Sequence, residues 1–189
     1  MQTVIRGASQ LQVTRSRMAP GSSAGTGGRW TSRLPVEAVQ PPCHLFRRGI
    51  EAGLLPYAAA YHIGVLASGS LARGLLGGTI TEATRFGPGH WRSQSPAFTG
   101  PGFGRNLQVV AALSRFAADR GATIAQLAAA WVLAHPAVQV AIVGSRTPAH
   151  LQESLGAVNL TLSQGDLAEI DRIMAAAVPL GGPSPEGMT

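Results

Sequence analysis

The sequence predicts an α/β protein built on a short parallel sheet, and two patterns together with the composition predict it. Strand-like runs alternate with helical stripes from Val36 onward, as in βαβ units. The runs Ile63–Ala67 and Val138–Val143 are apolar at nearly every position, as strands covered on both faces must be. The chain has 189 residues, 45% hydrophobic and 13% charged, which suits one domain with a real core.

Taken in order, Val36–Gln40 reads as a short strand stopped by Pro41 and Pro42, since proline has no N–H to give a ladder. A helix over Ile50–Tyr61 follows, with Ile50, Leu54, Tyr57 and Tyr61 as its buried stripe. Ile63–Ala67 is the second strand. Residues 77–104 form a long excursion punctuated by Gly and Pro, and loops of that length are functional or disordered. Helical spacing resumes through Val109, Val110, Leu113, Phe116 and Ala117 and stops at Gly121. Thr123 then caps a helix whose stripe is Ile124, Leu127, Ala128 and Trp131, with Pro136 past its end. Val138–Val143 is the third strand, and it leads into Gly144, Ser145 and Arg146. Thr147 followed by Pro148 starts a helix at about Ala149. Ser163 with Asp166 resembles a capping box that opens a last helix through Leu167, Ile170, Ile173, Met174 and Ala177. The tail from Pro179 is rich in Gly and Pro. About three βα units result, too few to close an eight-stranded barrel.

The head of the chain differs in texture. Residues 1–35 hold five arginines and no acid, which accounts for +5 of the net charge of +6. Beyond them ten arginines face nine acids, so the domain itself is nearly neutral and no nucleic-acid partner is expected. Residues 10–35 show neither hydrophobic period and are expected to be unstructured. An Arg- and Ser-rich head resembles a transit peptide in composition, but Gly, Ser and Pro at 20–28 would not hold an amphipathic helix. No apolar run approaches the roughly 18 residues of a membrane span, so no membrane partner is expected.

Residue types exclude several chemistries. Every basic residue is Arg; without Lys there is no Schiff base and no phosphate-loop lysine. The single cysteine, Cys43, excludes an intramolecular disulfide and points to a reducing, cytoplasmic compartment. Cys43 and His44 are adjacent on an extended segment and point opposite ways, so they make no nucleophilic pair. The two tyrosines, Tyr57 and Tyr61, fall in a helix pattern and read as packing. Small residues over 68–74 suit close approach of a phosphate. Read alone, Gln40 is a polar strand end, and Glu153 with Ser154 is a solvated helix face.

Three stretches together resemble the aldo/keto reductase family: VEAVQPPCHLFRR (36–48), IGVLASGSLARGLLGG (63–78) and VAIVGSRTPAHLQESLGA (140–157). Each is a strand end with its following loop, in family order and spacing. The resemblance implies a partial (β/α)8 TIM barrel, the C-terminal half, over residues 36–189, with 1–35 unmatched. It implies an NAD(P)H-dependent oxidoreductase acting on carbonyls, with NADP(H) as cofactor and NAD(H) as the alternative. Gln40 would hydrogen-bond the nicotinamide carboxamide. Ser68, Gly69, Ser70, Leu71, Ala72, Arg73 and Gly74 would wrap the pyrophosphate. Gly144, Ser145 and Arg146 would hold the ribose 2′-phosphate, with His150 near a position where some members have Arg. Glu153 and Ser154 would meet the adenine.

The chain also departs from the family pattern. Cys43 stands where QPPY is usual, and Ser68 stands where a tyrosine stacks on the nicotinamide, a contact worth about 1 kcal/mol. The family's Asp, Tyr, Lys and His tetrad belongs to the N-terminal half of the barrel. No catalytic residue is therefore assigned, and the chain is expected to be inactive alone, as a truncated reductase. The alternatives are a nucleotide-binding regulatory module and one half of a split reductase completed by another chain. Residues 4–9 resemble the end of the preceding family strand and are expected beside Val36–Gln40. The match stops at Gln10 and resumes near Val36, as if 10–35 were replaced or read out of frame; the alternative is a basic tail for an acidic partner. A half barrel leaves an open strand edge and an uncovered apolar face, which predicts self-association or a complementary N-terminal half.

Overall fold

Three strands run parallel: β2 (Ala38–Val39), β3 (Gly64–Ala67) and β4 (Val140–Gly144), with Ala38 opposite Gly64 and Leu66 opposite Val140. The structure is a computed structural model that describes residues 2–6, 36–145 and 147–181. A further strand, β1 (Gln2–Arg6), pairs antiparallel with β4, so the sheet order is β1-β4-β3-β2. Three parallel strands with their crossover helices are the expected partial barrel.

The position of β1 corrects an expectation. Residues 4–9 were expected beside Val36–Gln40, yet Val4 lies opposite Ile142, at the other edge and in the opposite direction. The ladder available explains the choice. β2 offers two paired residues before Pro41 and Pro42, whereas β4 presents five, and an antiparallel edge strand on a parallel sheet is common. Residues 7–9 lie outside the described residues, as does the expected unstructured head, 10–35.

Backbone pairing along β2 resumes after the prolines. Ser68 N–H donates to the Pro41 carbonyl at 2.8 Å, and Cys43 N–H donates to the Ser68 carbonyl at 3.0 Å. The loop after β3 is thereby tied to the loop after β2. Strand β4 starts at Val140 rather than Val138; ahead of it the Gln139 side chain accepts from Val65 N–H at 2.7 Å.

Helix α1 spans Leu54–Ala60, shorter than expected, because 49–53 are turns. Its phase also differs. Leu55 and Ala58 are buried, while Tyr57 and Tyr61 are 54% and 64% exposed, with their rings in contact at 4.4 Å and tilted by 32°. The reading of the tyrosines as core packing is therefore wrong. A stripe drawn from Ile50 began in a turn, and the helix sets its own phase from Leu54.

The excursion holds a 3₁₀ turn at Trp91–Gln94 and the short helix α2 (Pro96–Thr99). Helices α3 (Phe103–Ala118) and α4 (Ile124–Leu133) follow, divided at Gly121, whose φ of +64° suits glycine. Helix α5 covers Pro148–Leu155 and α6 covers Gln164–Met174. Thr123 with Gln126 and Ser163 with Asp166 form complete capping boxes. Leu55, Leu75, Leu113, Leu127 and Ile170 meet in the core. The start of the tail is anchored: Val178 exchanges two hydrogen bonds with the Asn106 side chain, and Leu180 N–H donates to the Phe46 carbonyl. No helix among the described residues is long and apolar enough to cross a membrane.

Candidate functional site

The C-terminal ends of the three parallel strands open onto one pocket of about 480 Å³. Gln40 enters it from the end of β2, Ser68, Gly69, Leu71, Arg73 and Gly74 from the loop after β3, and Gly144 and Ser145 from the end of β4. His150, Glu153 and Ser154 come from α5. Eleven of the fourteen residues singled out from the sequence thus line a single cavity. The three others are Ser70 and Ala72, which are buried outside the lining, and Arg146, which lies outside the described residues.

Local chemistry builds each wall. Ala72, Arg73 and Gly74 all adopt positive φ, at +47°, +58° and +99°. This sharp turn lets Gly74 N–H donate to the Leu71 carbonyl at 2.9 Å. Thr147 caps α5 by accepting from His150 N–H at 3.3 Å, and the Ser145 hydroxyl donates to the Thr147 carbonyl at 2.7 Å. The Ser154 hydroxyl turns back to the His150 carbonyl at 2.9 Å. The Gln126 amide donates to the Glu153 carbonyl at 2.9 Å and so ties α5 to the start of α4. Ser68 Oγ is buried and has no hydrogen-bond partner in the structure.

Arg73, Arg92 and His150 face Glu153 as the ionisable side chains around the cavity. An anionic ligand suits that balance. Gly77, Thr79, Arg92, Ala125 and Ile142 complete the lining and were given no site role from the sequence. Arg92 carried a signal, since it sits in an excursion too long to be a plain connection.

Cys43 and His44 behave as core. Burial, and then the charge of Glu51, push the Cys43 thiol up to about 11. Burial, followed by Arg47 and Arg73, holds the His44 imidazole down at about 4. A thiol held protonated beside an imidazole held neutral is poorly set for nucleophilic chemistry. Below them a second cavity of about 270 Å³ contains Arg48, which stacks over Trp131 at 5.1 Å. Arg48 bonds Glu51 at 2.8 Å and Asp171 at 2.6 Å, joining the turn before α1 to α6.

Parallel strands carrying a shared pocket at their C-terminal ends define an α/β protein, and that is the end of the sheet at which such folds place their binding sites. The sequence model of the Aldo/keto reductase family matches residues 17–175, and the chain belongs to that family. The match begins ahead of Val36, where the resemblance was first placed. The chain is 35% identical over 150 residues to the Aldo-keto reductase YhdN of Bacillus subtilis, covering 78% of this chain and 45% of that protein. It is 29% identical over 168 residues to the Schizosaccharomyces pombe aldo-keto reductase yakc, whose name specifies NADP(+), covering 87% of this chain and 49% of the relative. Among solved structures, the glycerol dehydrogenase AKR11B4 from Gluconobacter oxydans superposes with a TM-score of 0.72 at 33% identity. That alignment covers 82% of this chain and 47% of the dehydrogenase. The chain spans about half the length of the curated relatives it matches.

Proposed function

We propose that the pocket at the strand ends binds a nicotinamide dinucleotide, NADP(H) in preference to NAD(H), and that this chain alone does not reduce carbonyls. The observation that carries the reading is the convergence on one cavity of eleven residues to which the family resemblance gives a cofactor role. The residues present fit the group. The cavity lies in the size range of ligand pockets, about 300–1,000 Å³, its ionisable lining is mostly basic, and Ser68 Oγ is buried there without a partner. When bound, the dinucleotide supplies a hydride. In this reading Gln40 orients the carboxamide end, and the turn at Ser68–Gly74 together with Arg73 receives the pyrophosphate. Ser145 and His150 face the 2′-phosphate, to which the resemblance also assigns Arg146, with Glu153 and Ser154 at the adenine.

What this chain does not supply is a tuned proton donor. It contains no Lys, and Tyr57 and Tyr61 lie on the outer side of α1 rather than in the cavity. Proton transfer by a positioned acid is worth roughly 10²–10⁴ in rate. The purified chain should therefore show no NADPH-dependent reduction of aldehydes or quinones above background. Turnover that survives repurification would overturn that part. For the cofactor, Arg146→Ala should weaken NADPH about tenfold and NADH little, because only NADPH carries the 2′-phosphate that an Arg engages by charge-assisted bonds. Equal losses would show that Arg146 does not read that group.

A second reading, one half of a split reductase, draws support from the sheet. Strand β2 is an edge among the described residues, Val36 is exposed just ahead of it, and Tyr57 and Tyr61 are exposed at α1. In this reading a complementary chain brings the tetrad and covers that side.

A further inference from the structure

The turn at Ala72–Gly74 poses a physical problem. Two successive residues with side chains, Ala72 and Arg73, hold left-handed backbone before Gly74 does the same. L-residues adopt that conformation at a cost and keep it only where their surroundings over-determine it. The surroundings here come from the excursion. Arg92 donates from both Nε, at 3.0 Å, and Nη2 to the carbonyl oxygen of Arg73, the central residue of the turn. A Cβ at Gly74 would lie 3.1 Å from Arg92 Nη2, so the guanidinium also sits close against the glycine.

Arg92 is itself held in place. Its guanidinium lies 4.5 Å from the Trp91 ring, 5.5 Å from Phe98 and 5.8 Å from Phe86. Phe98 stands edge-on to both Phe86 and Trp91, and His90 stacks on each of the same two rings. The His90 imidazole accepts from Arg92 N–H at 3.2 Å, fixing the 3₁₀ turn that carries the arginine. Arg73 closes the arrangement by stacking its own guanidinium over Trp91 at 5.6 Å. A planar fork with two donors on one oxygen, caged by rings, suits arginine and not lysine.

We infer that Arg92 is a positioning residue. It clamps the left-handed Ala72–Gly74 turn through the Arg73 carbonyl, and the excursion shapes the phosphate side of the dinucleotide pocket by holding that turn. This rests on the dinucleotide reading for its ligand, although the clamp has a readout of its own. The peptide bond after Arg73 is a trypsin site in the turn itself. Arg92→Lys keeps the charge and loses the fork, Arg92→Met loses both, and Ala72→Gly makes left-handed backbone easy.

The experiment follows cleavage at Arg73–Gly74 by fragment mass, and NADPH affinity by titration, in the same preparations. Both Arg92 variants should be cut there about tenfold faster, with unchanged helical circular dichroism and unchanged cleavage at Arg115 inside α3. Both should bind NADPH about tenfold more weakly, and Ala72→Gly added to Arg92→Lys should recover several-fold of that loss. Unchanged cleavage at Arg73–Gly74 in both variants overturns the clamp. So does wild-type affinity in Arg92→Lys with loss in Arg92→Met, which would make Arg92 a charge for the ligand instead. Parent protein that fails to bind NADPH overturns the dinucleotide reading, and the cleavage comparison then decides the clamp by itself.

Discussion

His44 is buried, its Nδ1 has no partner in the structure, and its imidazole is held at about 4 by burial with help from Arg47 and Arg73. An unfolded chain binds that proton near pH 6.5, so between 6.5 and 4 the unfolded state carries more protons than the folded one. Stability is then fully present above pH 6.5 and falls as the pH drops toward 4, by up to about 3 kcal/mol. Urea unfolding at pH 7.5 and pH 4.5 should show this loss, and His44→Leu should remove most of it. A variant with the same pH slope as the parent would place the slope elsewhere. Sequence alone put His44 and Cys43 outside the chemistry, from the alternation of an extended backbone. It gave no hint of their depth, which depends on packing by segments far along the chain.

Elements were legible where local chemistry decides them. Thr123 announced its helix as a cap residue, and Ser163 did so through an acid three residues on. The stripe through Tyr57 and Tyr61 failed because periodicity says nothing about where a helix starts, and Pro56 and Gly53 permit turns as readily as a helix. Gln126 shows what sequence cannot reach. It completes the box at α4, yet its amide also holds the Glu153 carbonyl 27 residues away, and a Cβ at Gly156 would collide with it. Gln126→Ala should therefore cost about 1–2 kcal/mol of stability and also weaken NADPH by loosening α5. Thr123→Ala should cost about 1 kcal/mol while leaving affinity unchanged, since it removes only the cap. Thermal melts and titrations on the pair would separate the two roles, and parallel losses of affinity would show that Gln126 acts only as a cap.

At the scale of the molecule, the order β2-β3-β4 and its parallel sense followed from apolar runs joined by helical connections. The antiparallel seat of β1 did not, because strand order at an edge depends on which neighbour offers the longer ladder. What the sheet leaves open governs how the chain behaves in solution. Strand β2 carries a short ladder on one side and, among the described residues, no strand on the other. Val36 is 62% exposed just ahead of it, and the tilted pair Tyr57 and Tyr61 adds two exposed rings at the following helix and its C-terminus. An open edge next to apolar surface favours association over a free monomer. In sedimentation runs the chain should form dimers or larger species at micromolar concentration. Tyr57→Glu together with Tyr61→Glu should shift it toward monomer, because paired charges on that surface oppose burial. Adding a polypeptide that spans the N-terminal half of a related reductase should suppress self-association by occupying the same edge. A parent chain that sediments as a single monomer, with sharp near-ultraviolet signals from Trp91 and Trp131, would mean that the β2 side is closed and that no second half is needed.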